Sequence, residues 1–129
     1  MDAVSTQEVG VFRGLPRDVR IQAAIKITKP VHRFGFGLRG AGRYESKYDL
    51  AFCPAERRVS LADQSLAPVA LEGDRFTVEI IQKNDIIDVC VNNDQCLINR
   101  LHQLTGDSLF LFAENGAVMF EDVRIAPLV

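Results

Sequence analysis

The chain has 129 residues, 15 of them basic and 17 acidic for a formal net charge of −2, and 47% of it is hydrophobic. A single core suits that length, because a chain of this size buries roughly two-thirds of the surface its unfolded form exposes. So balanced a charge gives no field to steer a polyanion, which argues against nucleic acid, and no apolar run nears the roughly 20 residues that a bilayer-crossing helix needs. The opening MDAVSTQEV lacks both the basic start and the hydrophobic stretch of a signal peptide, so the sequence reads as soluble and unexported.

Residues 1–8 are expected to fray, and order is expected from about Val9. Val19, Ile21, Ala23, Ile25 and Ile27 then recur at intervals of two, with Arg20, Gln22, Ala24 and Lys26 between them. That period belongs to a strand with one face on a core. Phe34, Phe36 and Leu38 resume the alternation after Pro30. Tyr48, Leu50 and Phe52 form the next strand, which stops at Cys53-Pro54, where a fixed φ and a missing N–H suit a turn. Val59-Ser60-Leu61 returns as its hairpin partner.

Phe76, Val78 and Ile80 alternate next, and Lys83-Asn84-Asp85 turns the chain into Ile87, Val89 and Val91. Asn92-Asn93-Asp94 supplies a second tight turn, since Asn and Asp tolerate left-handed backbone, and Cys96 to Arg100 runs back. Leu101 to Asp107 carries the only hint of a short helical turn or an irregular loop. Leu109 to Phe112 is a continuous apolar run, short enough for a strand buried on both faces. Glu114-Asn115-Gly116 turns it into a last strand, where Val118 and Phe120 have one parity and Val123 and Ile125 the other, so a β-bulge is expected at Glu121-Asp122.

Eight to ten short strands with turns every eight to twelve residues describe an all-β, two-sheet antiparallel sandwich of the concanavalin or lectin-like jelly-roll kind. Residues 1–129 read as one domain without linker or repeat. Cys53, Cys90 and Cys96 form no CxxC, and His32 and His102 have no ligand-like spacing, so neither metal nor other cofactor is expected. The cysteines read as three buried reduced thiols, with a Cys90–Cys96 bridge across the hairpin as the other reading.

Motifs for catalysis are missing. There is no Gly-x-Ser-x-Gly elbow, and Asp88, Glu121 and Asp122 occupy ordinary places for solvated acids. The Gly-rich run from Arg33 to Gly42 alternates Gly with large apolar residues inside a strand, which suits close approach of another backbone rather than a phosphate cradle.

The second half carries a resemblance. Phe76-Thr-Val-Glu-Ile-Ile81, then Ile87-Asp88-Val89-Cys90-Val91-Asn92, then Leu109-Phe110-Leu111-Phe112-Ala113-Glu114-Asn115-Gly116, and finally Val123-Arg124-Ile125-Ala126-Pro127-Leu128 together resemble the C-terminal β-sandwich of glycoside hydrolase family 32. That sandwich is attached to a catalytic propeller in invertases, inulinases and levanases. Its relative, carbohydrate-binding module family 66, binds terminal fructose. Asp88 and Cys90 stand where the family commonly has glutamate and phenylalanine, and the propeller's catalytic motifs are absent from this chain. The resemblance implies a non-catalytic accessory domain whose partner is a fructose-terminated glycan or an attached catalytic domain.

With no Trp and only Tyr44 and Tyr48, a broad stacking platform is not expected. A small pocket for one terminal sugar would rest instead on charge-assisted hydrogen bonds. Arg39, Tyr48, Asp63 and Glu114 are the candidates for it. The alternative is a structural sandwich that docks on a catalytic partner and binds no sugar. An exposed apolar patch would favour docking, and a concave polar pocket with one Tyr would favour sugar.

Overall fold

Eleven strands form two antiparallel sheets in the computed structural model, which describes residues 6–41, 47–71 and 75–128. The six-stranded sheet takes, in spatial order, β1 (Thr6–Phe12), β10 (Ser108–Glu114), β3 (Arg33–Gly40), β4 (Tyr48–Cys53), β5 (Arg58–Leu61) and β6 (Gln64–Leu66). The five-stranded sheet takes β11 (Ala117–Pro127), β2 (Val19–Lys29), β7 (Phe76–Lys83), β8 (Ile86–Val91) and β9 (Gln95–Arg100).

Alternation along each strand puts one row of side chains between the sheets. Phe34, Phe36, Leu38, Leu50, Phe52, Val59 and Leu61 come from the larger sheet and meet Ile21, Ile25, Val78, Ile80, Ile87 and Val89 from the smaller. Each such side chain contributes about 1.5–3 kcal/mol of transfer free energy when fully buried. Phe34 stacks on Phe52 with ring centroids 5.2 Å apart, and Phe76 reaches Phe52 from the opposite sheet at 5.7 Å. Glycine serves close approach at two places. A Cβ on Gly35 would collide with the Leu50 carbonyl of β4, and one on Gly116 would collide with the backbone at Pro30 and Val31, where the two sheet-crossing turns meet.

The bulge expected near the end of the chain is present. Glu121 pairs with Ala24 and Arg124 with Gln22, and the extra residue Asp122 has φ 51°. It returns Val123 and Ile125 to the core after Val118 and Phe120. Strand β10 is buried on both faces, as its composition predicts. Leu109, Leu111 and Ala113 point inward, whereas Phe110 and Phe112 point outward beneath Arg13, Arg33 and Lys47. A roof of cations over aromatic faces thus covers the outer row.

Four expectations need correction. The start is ordered earlier than Val9, because β1 begins at Thr6 and pairs with β10; that partner lies about a hundred residues away, so no local pattern announces it. Strand β6 is three residues long, too short for any period, and with β1 it raises the count to eleven. The one short helix among the described residues is a 3-10 turn at Pro54–Glu56, closed by Arg57 at φ 50°, whereas 101–107 takes the irregular form of the two expected for it. Cys90 and Cys96 form a disulfide rather than two thiols, because the β8–β9 register sets them directly opposite each other. Cys53 alone is free, and burial, with the Glu56 carboxylate beside it, pushes its thiol above the usual range.

Candidate functional site

The four candidate residues fall at three places. Arg39 sits where β3 loses its alternation: Ser108 pairs with Gly40 but Phe110 with Gly37, and Arg39 has φ 55°. Its guanidinium, on a residue only 4% exposed, turns to the opposite sheet. Nη1 donates to the Arg17 carbonyl at 2.8 Å and Nη2 to the Asn84 carbonyl at 2.6 Å. Burial, and then the charge of Arg17, lower its pKa from the usual arginine range.

Glu114 ends β10 on the outer face of the six-stranded sheet. Its carboxylate accepts from Arg33 Nε at 2.9 Å, and Arg33 Nη2 reaches Asp49 at 3.2 Å. Asp49 in turn accepts from Lys47 at 2.6 Å. The four charges alternate in sign across three neighbouring strands and lie over Phe112, with Arg33 5.4 Å and Lys47 5.5 Å from the ring centre. None of Arg33, Lys47 and Asp49 stands out in the sequence, because only the β10–β3–β4 register makes them neighbours of Glu114.

Tyr48 and Asp63 do come together. They line a cavity of about 270 Å³ at one end of the sandwich, with Asn99, Arg100, His102 and Gln103. Tyr48 starts β4 with its ring against the core, and its hydroxyl accepts from the Leu104 N–H at 2.8 Å, which leaves its own proton to donate. Asp63 lies in the β5–β6 turn after Ala62, whose φ is 54°, and one of its oxygens accepts from Asn99 Nδ2 at 3.0 Å. Asn99 also donates to the Leu61 carbonyl, so it ties the edge strand β9 to the other sheet. The loop after β9 is fixed at both ends, by Leu101 N–H on the Asp85 carbonyl and Leu15 N–H on the Asp107 carbonyl. His102 and Gln103 are exposed on it.

This end cavity therefore holds a hydroxyl donor, a carboxylate with one oxygen uncommitted among the described residues, an amide carbonyl, an imidazole and a second amide. At about 270 Å³ it lies just under the roughly 300–1,000 Å³ of drug-sized sites, room for a single small polar ring. The signal for its missed members was the polar run Asn99 to Gln103 opening an irregular segment, the sort of place where binding residues gather. Tyr44 lies outside the described residues.

No family model and no curated protein matches this chain. Solved structures do. A carbohydrate-binding module of family 66 from Bacillus subtilis superposes with a TM-score of 0.77 at 9% identity, over 97% of this chain and 83% of that one. A fructosyltransferase from A. japonicus gives 0.69 at 12% identity, over 98% of this chain but only 26% of its own. Sheep galectin-11, solved in complex with glycerol, gives 0.64 at 13% identity, over 98% and 99%. At these identities the likeness is one of fold: the chain adopts the lectin-like two-sheet sandwich of the family 66 module.

Proposed function

We propose that this chain is a non-catalytic carbohydrate-binding domain that holds one sugar unit in the end cavity, with a fructose-terminated glycan as the first ligand to test. The observation that carries the reading is the convergence of Tyr48, Asp63, Asn99, His102 and Gln103 on one concave polar site. Asp63 accepts from sugar hydroxyls, the Tyr48 hydroxyl and the Gln103 amide donate to them, and charge assistance at Asp63 supplies the strongest contact. Arg39, whose two Nη groups are bonded to main-chain carbonyls, and Glu114, whose carboxylate is ion-paired with Arg33, hold the scaffold instead.

Support comes also from the solved structures of similar fold, of which one is a carbohydrate-binding module and one a fructosyltransferase. The large exposed apolar side chains among the described residues argue less for docking. Val11 and Phe12 lie on β1, Met119 on β11 and Ile98 on β9, all edge strands, with Ile98 on the strand farthest from β11 in its sheet. A weak module of this kind acts by raising the local concentration of an attached enzyme on its polymer.

Isothermal titration with fructose, levan, inulin and lactose tests the reading, with sucrose hydrolysis assayed on the same sample. Saturable binding without hydrolysis is expected, weakened at least about tenfold by Asp63→Ala, equivalent to about 1.4 kcal/mol. An absence of heat with every sugar, or full affinity in the variant, would overturn it.

A further inference from the structure

The outer face of the five-stranded sheet carries a second cavity, of about 290 Å³, that shares no lining residue with the first. Two rows of outward side chains build it. Across β11, β2 and β7 one row runs Glu121, Ala24, Thr77 and the next Arg124, Gln22, Glu79. Ala24 makes the difference between them. It is 5% exposed, has only a methyl group at the centre of its row, and so leaves a depression floored by apolar carbon.

The bulge shapes the wall. Its extra residue Asp122 swings a carboxylate out beside Glu121, and Arg75, at the entry to β7, reaches both, at 2.7 Å to Asp122 and 3.5 Å to Glu121. Bulges commonly re-aim a side chain in this way. At the other end Glu79 accepts from Gln22 at 3.3 Å and faces Arg20 at 3.5 Å. The side chains of Arg124 and Asn93, which also line the cavity, make no hydrogen bond or ion pair with another described side chain.

Charge selects the ligand class. Arg75 and Arg124 balance Glu79 and Asp122 in the lining of the cavity. An anion would face two carboxylates and a cation two guanidinium groups. A neutral polyhydroxylated ligand suits both signs, since each hydroxyl donates to a carboxylate and accepts from a guanidinium or amide. The apolar floor at Ala24 takes its C–H face. From this geometry we infer that the outer face of the five-stranded sheet is a second binding site for a neutral saccharide or polyol. Two sites on separate faces make the domain bivalent toward a branched or multi-chain glycan, which multiplies weak affinities through effective concentration.

The test is amide chemical-shift mapping of the full chain with lactose, kestotriose and sorbitol, each up to about 50 mM, and with glucuronate as the anionic control. Neutral ligands should shift the Thr77, Asn93 and Arg124 amides in the wild type and in Asp63→Ala, so that failure of the end cavity leaves this result standing. Ala24→Gln fills the depression from an outward-facing position and should abolish those shifts; Arg124→Ala, an exposed change that spares the fold, should weaken them at least about fivefold. Shifts confined to residues 99–103, unchanged shifts in both variants, or stronger shifts with glucuronate would each overturn the inference.

Discussion

Replacing Arg39 by Leu tests whether a buried cation at the end of β3 joins the two sheets. The guanidinium makes two charge-assisted bonds to main-chain carbonyls, at 2.8 and 2.6 Å, one before β2 and one in the β7–β8 turn. Bonds of this class each contribute roughly 1.5–3 kcal/mol net, so the pair sets an upper figure of about 6 kcal/mol. Two effects reduce it. Burial already disfavours the charged form, the reason its pKa falls, so Leu recovers a desolvation cost. Arg17 and Asn84 are exposed residues, so water reaches part of the freed carbonyls. A loss of about 2–4 kcal/mol remains, with a melting temperature lower by roughly 6–14 °C for a domain of this size. Thermal and urea unfolding followed by circular dichroism measure it. Arg39→Lys should recover less than half, since one ammonium on a shorter reach does not reproduce the fork. Sugar affinity at the end cavity should change less than about twofold in either variant. A stability loss under about 1 kcal/mol, or full rescue by Lys, would refute the joining role.

Two further outcomes follow from named contacts. The Cys90–Cys96 disulfide closes a loop with a sequence separation of 6, for which the chain-entropy relation gives about 2 kcal/mol, so the paired Cys90→Ser and Cys96→Ser variant should lower the urea midpoint accordingly with its slope nearly unchanged. A loss under about 0.5 kcal/mol would mean that the β8–β9 turn already holds the hairpin closed in the unfolded chain. Gln82 points inward from β7, is 3% exposed, and its carbonyl oxygen has no hydrogen-bond partner among the described residues. Gln82→Met keeps the volume and removes the orphan, and should raise stability by about 1 kcal/mol in the same urea assay; a decrease would point to a buried water on that oxygen.

The alternation of Val19 to Ile27, of Phe34 to Leu38 and of Phe76 to Val91 was enough to establish strands and a two-sheet sandwich. A period of two assigns each side chain to a face whatever its partner strand is. The same local logic located the bulge at Glu121-Asp122, because a change of inward parity within one strand needs an inserted residue. Residues 109–112 announced burial on both faces by composition alone, although only the fold shows that one of those faces lies under Arg13, Arg33 and Lys47.

The sites belong to the tertiary structure. Arg33, Asp49 and Glu114 meet through strand register, Tyr48 and Asp63 meet Asn99 and His102 through the closure of one end of the sandwich, and Ala24 becomes the floor of a cavity only when β11 and β7 flank it. Arg39 shows the same limit from the other side: a charged residue near a strand end reads as a surface group, yet an irregular register and a positive φ fold it inward between the sheets. Local sequence sets which way a side chain faces. Which side chains share a space depends on long-range pairing, as between β1 and β10, and no short pattern encodes the partner of a strand a hundred residues away.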